Sequence, residues 1–206
     1  MAAAFDHFAV AADSLAEGAA WAEAALGLPL AGGGEHALMG THNRLLSLGA
    51  GEYMEVIAVN PAAPPPGRPR WFDLDRFSGA PRITNWILRC DDLDAALALA
   101  PPGTGTPVDF QRGELRWRMA VPDDGILPFG GAFPALIEWQ GDRHATEVLP
   151  PSGCTLAALE IAHPEAADLS AALAPLLADA RVRILPGPEK AIRATLDTPA
   201  GPRVLA

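Results

Sequence analysis

The chain is short of cysteine, of positive charge and of long apolar runs, and each shortage removes a class of function. Two cysteines, Cys90 and Cys154, in 206 residues cannot build a disulfide framework, and neither stands in a C-x-x-C or other zinc-type spacing. A reducing compartment is the simpler home for such a chain. Only 15 Lys and Arg stand against 25 Asp and Glu, a formal net charge of -10, which argues against a nucleic-acid footprint because phosphate neutralisation needs a Lys/Arg-rich face. No stretch approaches a membrane span, and the opening MAAAFDHFAV has neither a basic n-region nor a long apolar core, so the expected location is the cytoplasm. G-x-G-x-x-G, P-loop and H-E-x-x-H arrangements are missing as well, and neither cysteine has a visible base, which leaves nucleophilic thiol chemistry without support.

What is present is an ordinary apolar fraction, rich in Ala, with 20 Gly and 21 Pro, a composition that predicts short elements joined by many tight turns. The order of those elements repeats. FDHFAVAADSLAEGAAWAEAALG reads as a strand, a capping box Ser14-x-x-Glu17 opening an amphipathic helix, and Gly27 as its stop. After Gly32-Gly33-Gly34, THNRLLSLGAGEYMEVIAV reads as a hairpin ending near Asn60. A Pro-rich connector, NPAAPPPGRPRW, separates this unit from a second. There a strand from Ile83 to Arg89, Asp91 or Asp92 as N-cap, a Leu/Ala helix stopped by Pro101, and the runs TPVDF, ELRWRMAV and PALIEWQ restate the pattern. CTLAALEIAHPEAADLSAALAPLL, RVRILPG, KAIRATLDTP and PRVLA complete a shortened third copy. The expected fold is therefore α+β, with repeated β-α-β-β-β units forming a curved, open-barrel mixed sheet and helices outside. Its divisions are 1–80 for the first unit and connector, 81–150 for the second, and 151–206 for the third, packed on the same domain.

The stretches DHFAVAADSL, HALMGTHNRLLSLGAGEYMEVIAV, LRWRMA, LIEW and LEIAHPEAADL resemble the glyoxalase-like members of the vicinal-oxygen-chelate superfamily, over nearly the whole chain. The resemblance implies that two units pair around a small-molecule site and that metal ligands come from the first and fourth strands of each. By position it picks out His7 and Glu55 as metal ligands from unit one, and Asn85 and Glu138 from unit two, for a divalent ion such as Zn, Ni, Mn or Fe. Asn85 is a weak ligand, and its alignment slips to Trp86 with a shift of one residue. The implied activity is that of a lyase or isomerase acting on a small oxygenated metabolite through metal chelation of vicinal oxygens. Alternatives are an extradiol-type dioxygenase and a metal-free sequestering protein with Trp86, Trp117 and Trp139 as stacking walls. The expected partner is a small molecule, with neither nucleic acid nor membrane, and the third unit could serve a homodimer interface.

The residues themselves sharpen parts of this. Two-residue alternation puts Phe8 and Val10 on one face of the first strand and His7 and Ala9 on the other. Glu55 lies in the apolar run Tyr53-Met54-Glu55-Val56-Ile57, where a carboxylate is costly unless paired, ligating or solvated. The hairpin register decides its neighbours. An even loop centred on Ala50-Gly51 puts His42, as third ligand or proton-moving group, on the face of Glu55; an odd loop presents Asn43, a hydrogen-bond donor for a substrate, instead. Arg116 and Arg118 share one strand face and suit an anionic substrate group, or a solvated face paired with carboxylates. Glu138, between Ile137 and Trp139, is placed to complete a metal shell or move a proton.

Overall fold

A computed structural model describes residues 3–49 and 51–206. The first unit comprises β1 (Ala3–Ala11), α1 (Leu15–Leu26), β2 (Ala31–His36), β3 (Thr41–Ser47) and β4 (Tyr53–Val59). The second comprises β5 (Arg82–Cys90), α2 (Leu93–Leu97), β6 (Thr106–Arg112), β7 (Leu115–Val121), a short turn α3 (Pro128–Gly131) and β8 (Ala135–Gln140). The third comprises β9 (Thr155–His163), α4 (Ala166–Leu173), β10 (Val182–Pro186), β11 (Ala191–Thr198) and β12 (Gly201–Leu205).

The helix ends follow from side-chain chemistry. Ser14 is extended, and its hydroxyl accepts from the Glu17 backbone N–H at 3.2 Å, while Gly27 ends α1 in the left-handed region at φ 70°. Asp92, not Asp91, caps α2 by accepting from the Ala95 N–H at 2.9 Å. Units one and two share one eight-stranded mixed sheet in the order β2-β3-β4-β1-β5-β8-β7-β6. They meet at its centre, where β1 and β5 run antiparallel and pair His7 with Ile87 and Ala9 with Asn85. Unit three forms a separate four-stranded sheet, β10-β9-β11-β12. No helix among the described residues is long and apolar enough to cross a membrane.

Alternation sorts the apolar residues into two cores. On one side Phe8, Val10, Trp86, Leu88 and Leu136 pack with α1 and with Leu159, Ile161, Ile192 and Leu196 of unit three. On the other, concave side lie Ala9, Leu45, Ile57, Trp71, Trp117, Met119 and Ile137. Removing a large side chain such as Phe8 or Leu88 from water contributes about 2 kcal/mol each to holding these layers together. Trp86 belongs to the first core, its indole N–H donating to the Ala132 carbonyl at 2.9 Å, so it is not a wall of the concave cavity.

The hairpin register places Ser47 opposite Tyr53, Leu45 opposite Glu55 and Asn43 opposite Ile57. Five residues, 48–52, therefore join the strands, the odd-loop case. Ala50, half of the expected turn centre, lies outside the described residues.

Candidate functional site

The concave face gathers a buried polar cluster around His7. Its position depends on an irregularity in β1: the pairing with β5 shifts between Phe5 and His7, so Phe5 faces the helical core while both Asp6 and His7 turn to the concave side. Asp6 Oδ1 lies 2.5 Å from His7 Nδ1, and its Oδ2 accepts from the Trp139 indole N–H and from His144 Nε2, each at 3.0 Å. Burial alone would raise the Asp6 carboxyl, but the hydrogen bonds from His144 and His7 outweigh it and hold the group well below the usual carboxylate range. An ionised Asp6 accepts from His7 Nδ1–H, which leaves Nε2 as the nitrogen facing the cavity.

Across that cavity, Glu55 Oε1 stands 4.0 Å from His7 Nε2, with His7 and Glu55 only 3% and 4% exposed. Asn43 donates to Glu55 Oε2 at 2.6 Å, and its own carbonyl oxygen accepts from Gly34 N–H at 2.9 Å and from Arg112 Nη1 at 3.2 Å. The Tyr53 ring stacks on His7 at a centroid distance of 4.1 Å, its hydroxyl 3.4 Å from Nε2. Burial and the Asp6 and Glu55 carboxylates push this phenol well above its ordinary value, so it stays protonated as a donor. His36 is driven down to about 3 by burial and by the Arg112 guanidinium, and is neutral near pH 7. Its Nε2 accepts from Arg112 Nη1 at 3.3 Å, so Nδ1 donates to Thr41 Oγ1 at 3.0 Å.

Glycine makes this packing attainable. A Cβ on Gly33 would lie 2.0 Å from the Asn43 carbonyl oxygen and 2.3 Å from its side-chain oxygen. The Gly-rich stretch is thus not only a loop, since Gly32, Gly33 and Gly34 belong to β2, laid closely over Asn43.

Of the sequence-expected residues, His7, Glu55 and Asn43 come together. His42 does not: it sits opposite Ala58, on the other face of β3 from Asn43 and Leu45. Arg116, Arg118 and Glu138 share a face, but the outer one, because Leu115, Trp117, Met119 and Ile137 fill the concave side. Glu138 accepts from the Leu93 N–H at 2.9 Å at the start of α2 and from Arg118 at 3.3 Å, while Arg118 also pairs with Asp94 at 3.1 Å. Sequence reasoning missed Asp6, Tyr53, Arg112 and the inward turn of His144. No local signal marks the β1 irregularity, and Arg112 and His144 arrive from other parts of the chain.

The second unit does not supply matching donors. Aligning the helix caps Ser14 and Asp92 matches His7 with Asn85, and the parallel registers Ala9 to Glu55 and Ile87 to Ala135 then match Glu55 with Ala135, not with Glu138. Asn85 donates to the Gly131 carbonyl at 3.4 Å. Among the described residues no three His, Cys, Asp or Glu side chains cluster as a metal-holding group. A divalent ion would meet His7 and Glu55 and two positions without strong donors, so the residues present do not fit the four-ligand centre of the resemblance.

The space enclosed by His7, Tyr53, Glu55, Trp71, Trp117 and Trp139 is about 30 Å³. Trp71, whose buried indole N–H has no partner among the described residues, and Phe72 bring the connector into its wall.

Comparison with known proteins bears on this architecture. No curated protein matches the sequence. Among solved structures, a hypothetical protein from Staphylococcus aureus is similar with a TM-score of 0.60 at 12% identity, covering 93% of this chain and 88% of its own. Methylmalonyl-CoA epimerase from Mycobacterium tuberculosis aligns with a TM-score of 0.43 at 21% identity, covering 68% of this chain and 88% of that one. The first of these likenesses shows a shared fold and nothing more. The model of the glyoxalase-like domain family matches residues 5–177, and the chain is a member of that family and of the vicinal-oxygen-chelate superfamily.

Proposed function

We propose that this protein is a lyase or isomerase that moves a proton on a small oxygenated metabolite, with His7 and Glu55 as the proton-handling pair. The observation that carries the reading is the buried His7 imidazole, held at Nδ1 by ionised Asp6 and presenting Nε2 to Glu55 across 4.0 Å. A substrate carbon or hydroxyl between the two meets a base on each side. Asp6 is a positioning residue, fixing the ring and stabilising the imidazolium when Nε2 takes a proton. Asn43 holds one Glu55 oxygen and leaves the other for the substrate. Tyr53, kept neutral, donates to an oxyanion forming beside His7, and Arg112 adds a fixed positive charge that favours an anionic substrate group. Trp71, Trp117 and Trp139 give the space apolar walls, which limit the water left beside a bound substrate. Admitting substrate to so small a space requires the wall to move, and Trp71 and Phe72 of the connector are its part outside the sheet strands. The buried free thiols of Cys90 and Cys154 are consistent with a reducing cytoplasmic setting.

The dioxygenase variant loses its second histidine with the outward turn of His42. Sequestration without chemistry remains as the second reading, favoured by the Trp71, Trp117 and Trp139 lining and by the unpartnered Trp71 N–H.

Deuterium exchange at carbon, followed by NMR in D2O against a panel of small 2-oxo and 2-hydroxy acids, tests the proposal. The expected result is exchange on at least one compound, lowered on the order of 10²-fold or more by His7→Gln, the scale of a lost general base. Binding of panel members without exchange would favour sequestration and overturn the catalytic reading.

A further inference from the structure

A cavity larger than the His7 site lies elsewhere in the fold. About 470 Å³ of space opens where β5, the Trp71–Asp73 segment, the Leu127–Gly131 turn and the start of β11 meet, a size usual for small-molecule sites. Its floor is apolar, with Phe72, Ile83, Leu127 and Ile192. Its remaining lining carries Arg76, Arg82, Lys190 and Arg193, a concentration of cations in a chain of net charge -10. Asp73 faces them but is held by Arg76 at 2.6 Å, and Ala206 also lines the space. Among the described residues Arg82, Lys190 and Arg193 stand in no ion pair, although most arginines elsewhere do, as Arg70, Arg118, Arg181 and Arg183 show.

Two further observations point to a ligand. The Thr84 hydroxyl lies in this wall, buried and without a hydrogen-bond partner among the described residues, a group that costs stability unless something accepts from it or donates to it. Lys190, the one lysine of the chain, reaches in to donate to the Gly130 carbonyl at 2.9 Å, and there is room for it because residue 131 is glycine: a Cβ there would lie 2.8 Å from Nζ. Burial lowers this ammonium to about 8, which leaves it mostly charged near neutrality.

We infer that this cavity is a second binding site, for an organic anion whose apolar body lies on Phe72, Ile83, Leu127 and Ile192 and whose charged group meets Lys190, Arg193 and Arg82. It is separate from the His7 cluster and does not depend on that cluster being catalytic. Among the described residues, Phe72 is the only side chain common to the two linings, held in the left-handed region at φ 58° between the two spaces.

Calorimetric titration of the full chain with benzoate and phenyl phosphate, beside neutral benzyl alcohol, tests the assignment. The expected result is saturable binding of at least one anion, about tenfold or more tighter than benzyl alcohol, the scale of one charge-assisted hydrogen bond. The double change Lys190→Gln with Arg193→Gln should weaken the anion by about tenfold or more and leave benzyl alcohol unchanged. Arg193→Gln alone, at an exposed position, should give part of that loss should the double variant fold poorly. Glu55→Gln, in the other cavity, should leave anion affinity within about twofold, since distant sites act independently. Anion binding no tighter than benzyl alcohol, insensitive to the Lys190 and Arg193 changes, lost in Glu55→Gln, or not saturable for either anion would overturn the assignment.

Discussion

Units one and two are two halves of one sheet, related closely enough that His7 pairs with Ile87 while Ala9 pairs with Asn85, yet they carry different chemistry. Where unit one places His7, Asn43 and Glu55, the same registers of unit two place Asn85, Met119 and Ala135. Unit one thus holds His7, Asn43 and Glu55, and unit two supplies tryptophan walls through Trp117 and Trp139, with Arg112 and His144 reaching across to the unit-one groups. The lesson is that this scaffold fixes where side chains point, while the residue at each position decides what that place can do.

The comparison can be broken by substitution at matched positions. The largest effect is expected for the pair His7→Gln and Asn85→Ala: the first should cut proton exchange by about 10²-fold or more, the second should leave it within a few-fold, and equal losses would mean that both halves act. Gly33→Ala comes next, because its new Cβ would press on the Asn43 carbonyl from 2.0 Å. Urea unfolding should show a loss of about 1–3 kcal/mol, accompanied by weaker exchange as Asn43 releases Glu55.

A pH series probes the unit-one cluster from another side. His36 has its folded pKa lowered from 6.5 to about 3, so the unfolded chain binds a proton that the folded one refuses across that window. Stability from this group is complete above pH 6.5 and is lost as pH falls towards 3, at no more than about 1.4 kcal/mol per pH unit. The Asp6 carboxyl, lowered as well, contributes stability present above the ordinary carboxylate range and lost below it. Urea midpoints measured at pH 7, 6 and 5 should fall in the wild type and fall less in His36→Gln. The smallest effect is expected for Arg116→Ala, on the outer face, where exchange should stay within about twofold because surface changes away from a site are usually neutral.

These residues also show what a sequence can carry. The repeat of strand, capped helix and hairpin was legible because Ser14, Gly27 and Asp92 act locally and apolar spacing needs no tertiary knowledge. His7 and Glu55 stood out as polar groups inside apolar runs. Asn43 against His42 stayed open because one residue in the turn flips every side chain of the strand. Arg116, Arg118 and Glu138 show the limit of alternation: it says which residues share a face, and the side that curls inward is chosen by packing of Trp117, Met119 and Ile137. Asp6 was hidden because an irregular strand pairing breaks the very alternation used to read it. The match of Glu55 with Ala135 likewise needed the strand registers, which a count along the chain had assigned to Glu138.

In the proposed reaction His7 and Glu55 transfer a proton without a metal to hold the substrate. Its most direct test is the exchange rate of the wild type before and after exhaustive chelation, with divalent ions added back one at a time. The rate should stay unchanged throughout, with His7→Gln slow in every condition; a rate abolished by chelation and restored by an added ion would show instead that a metal holds the substrate.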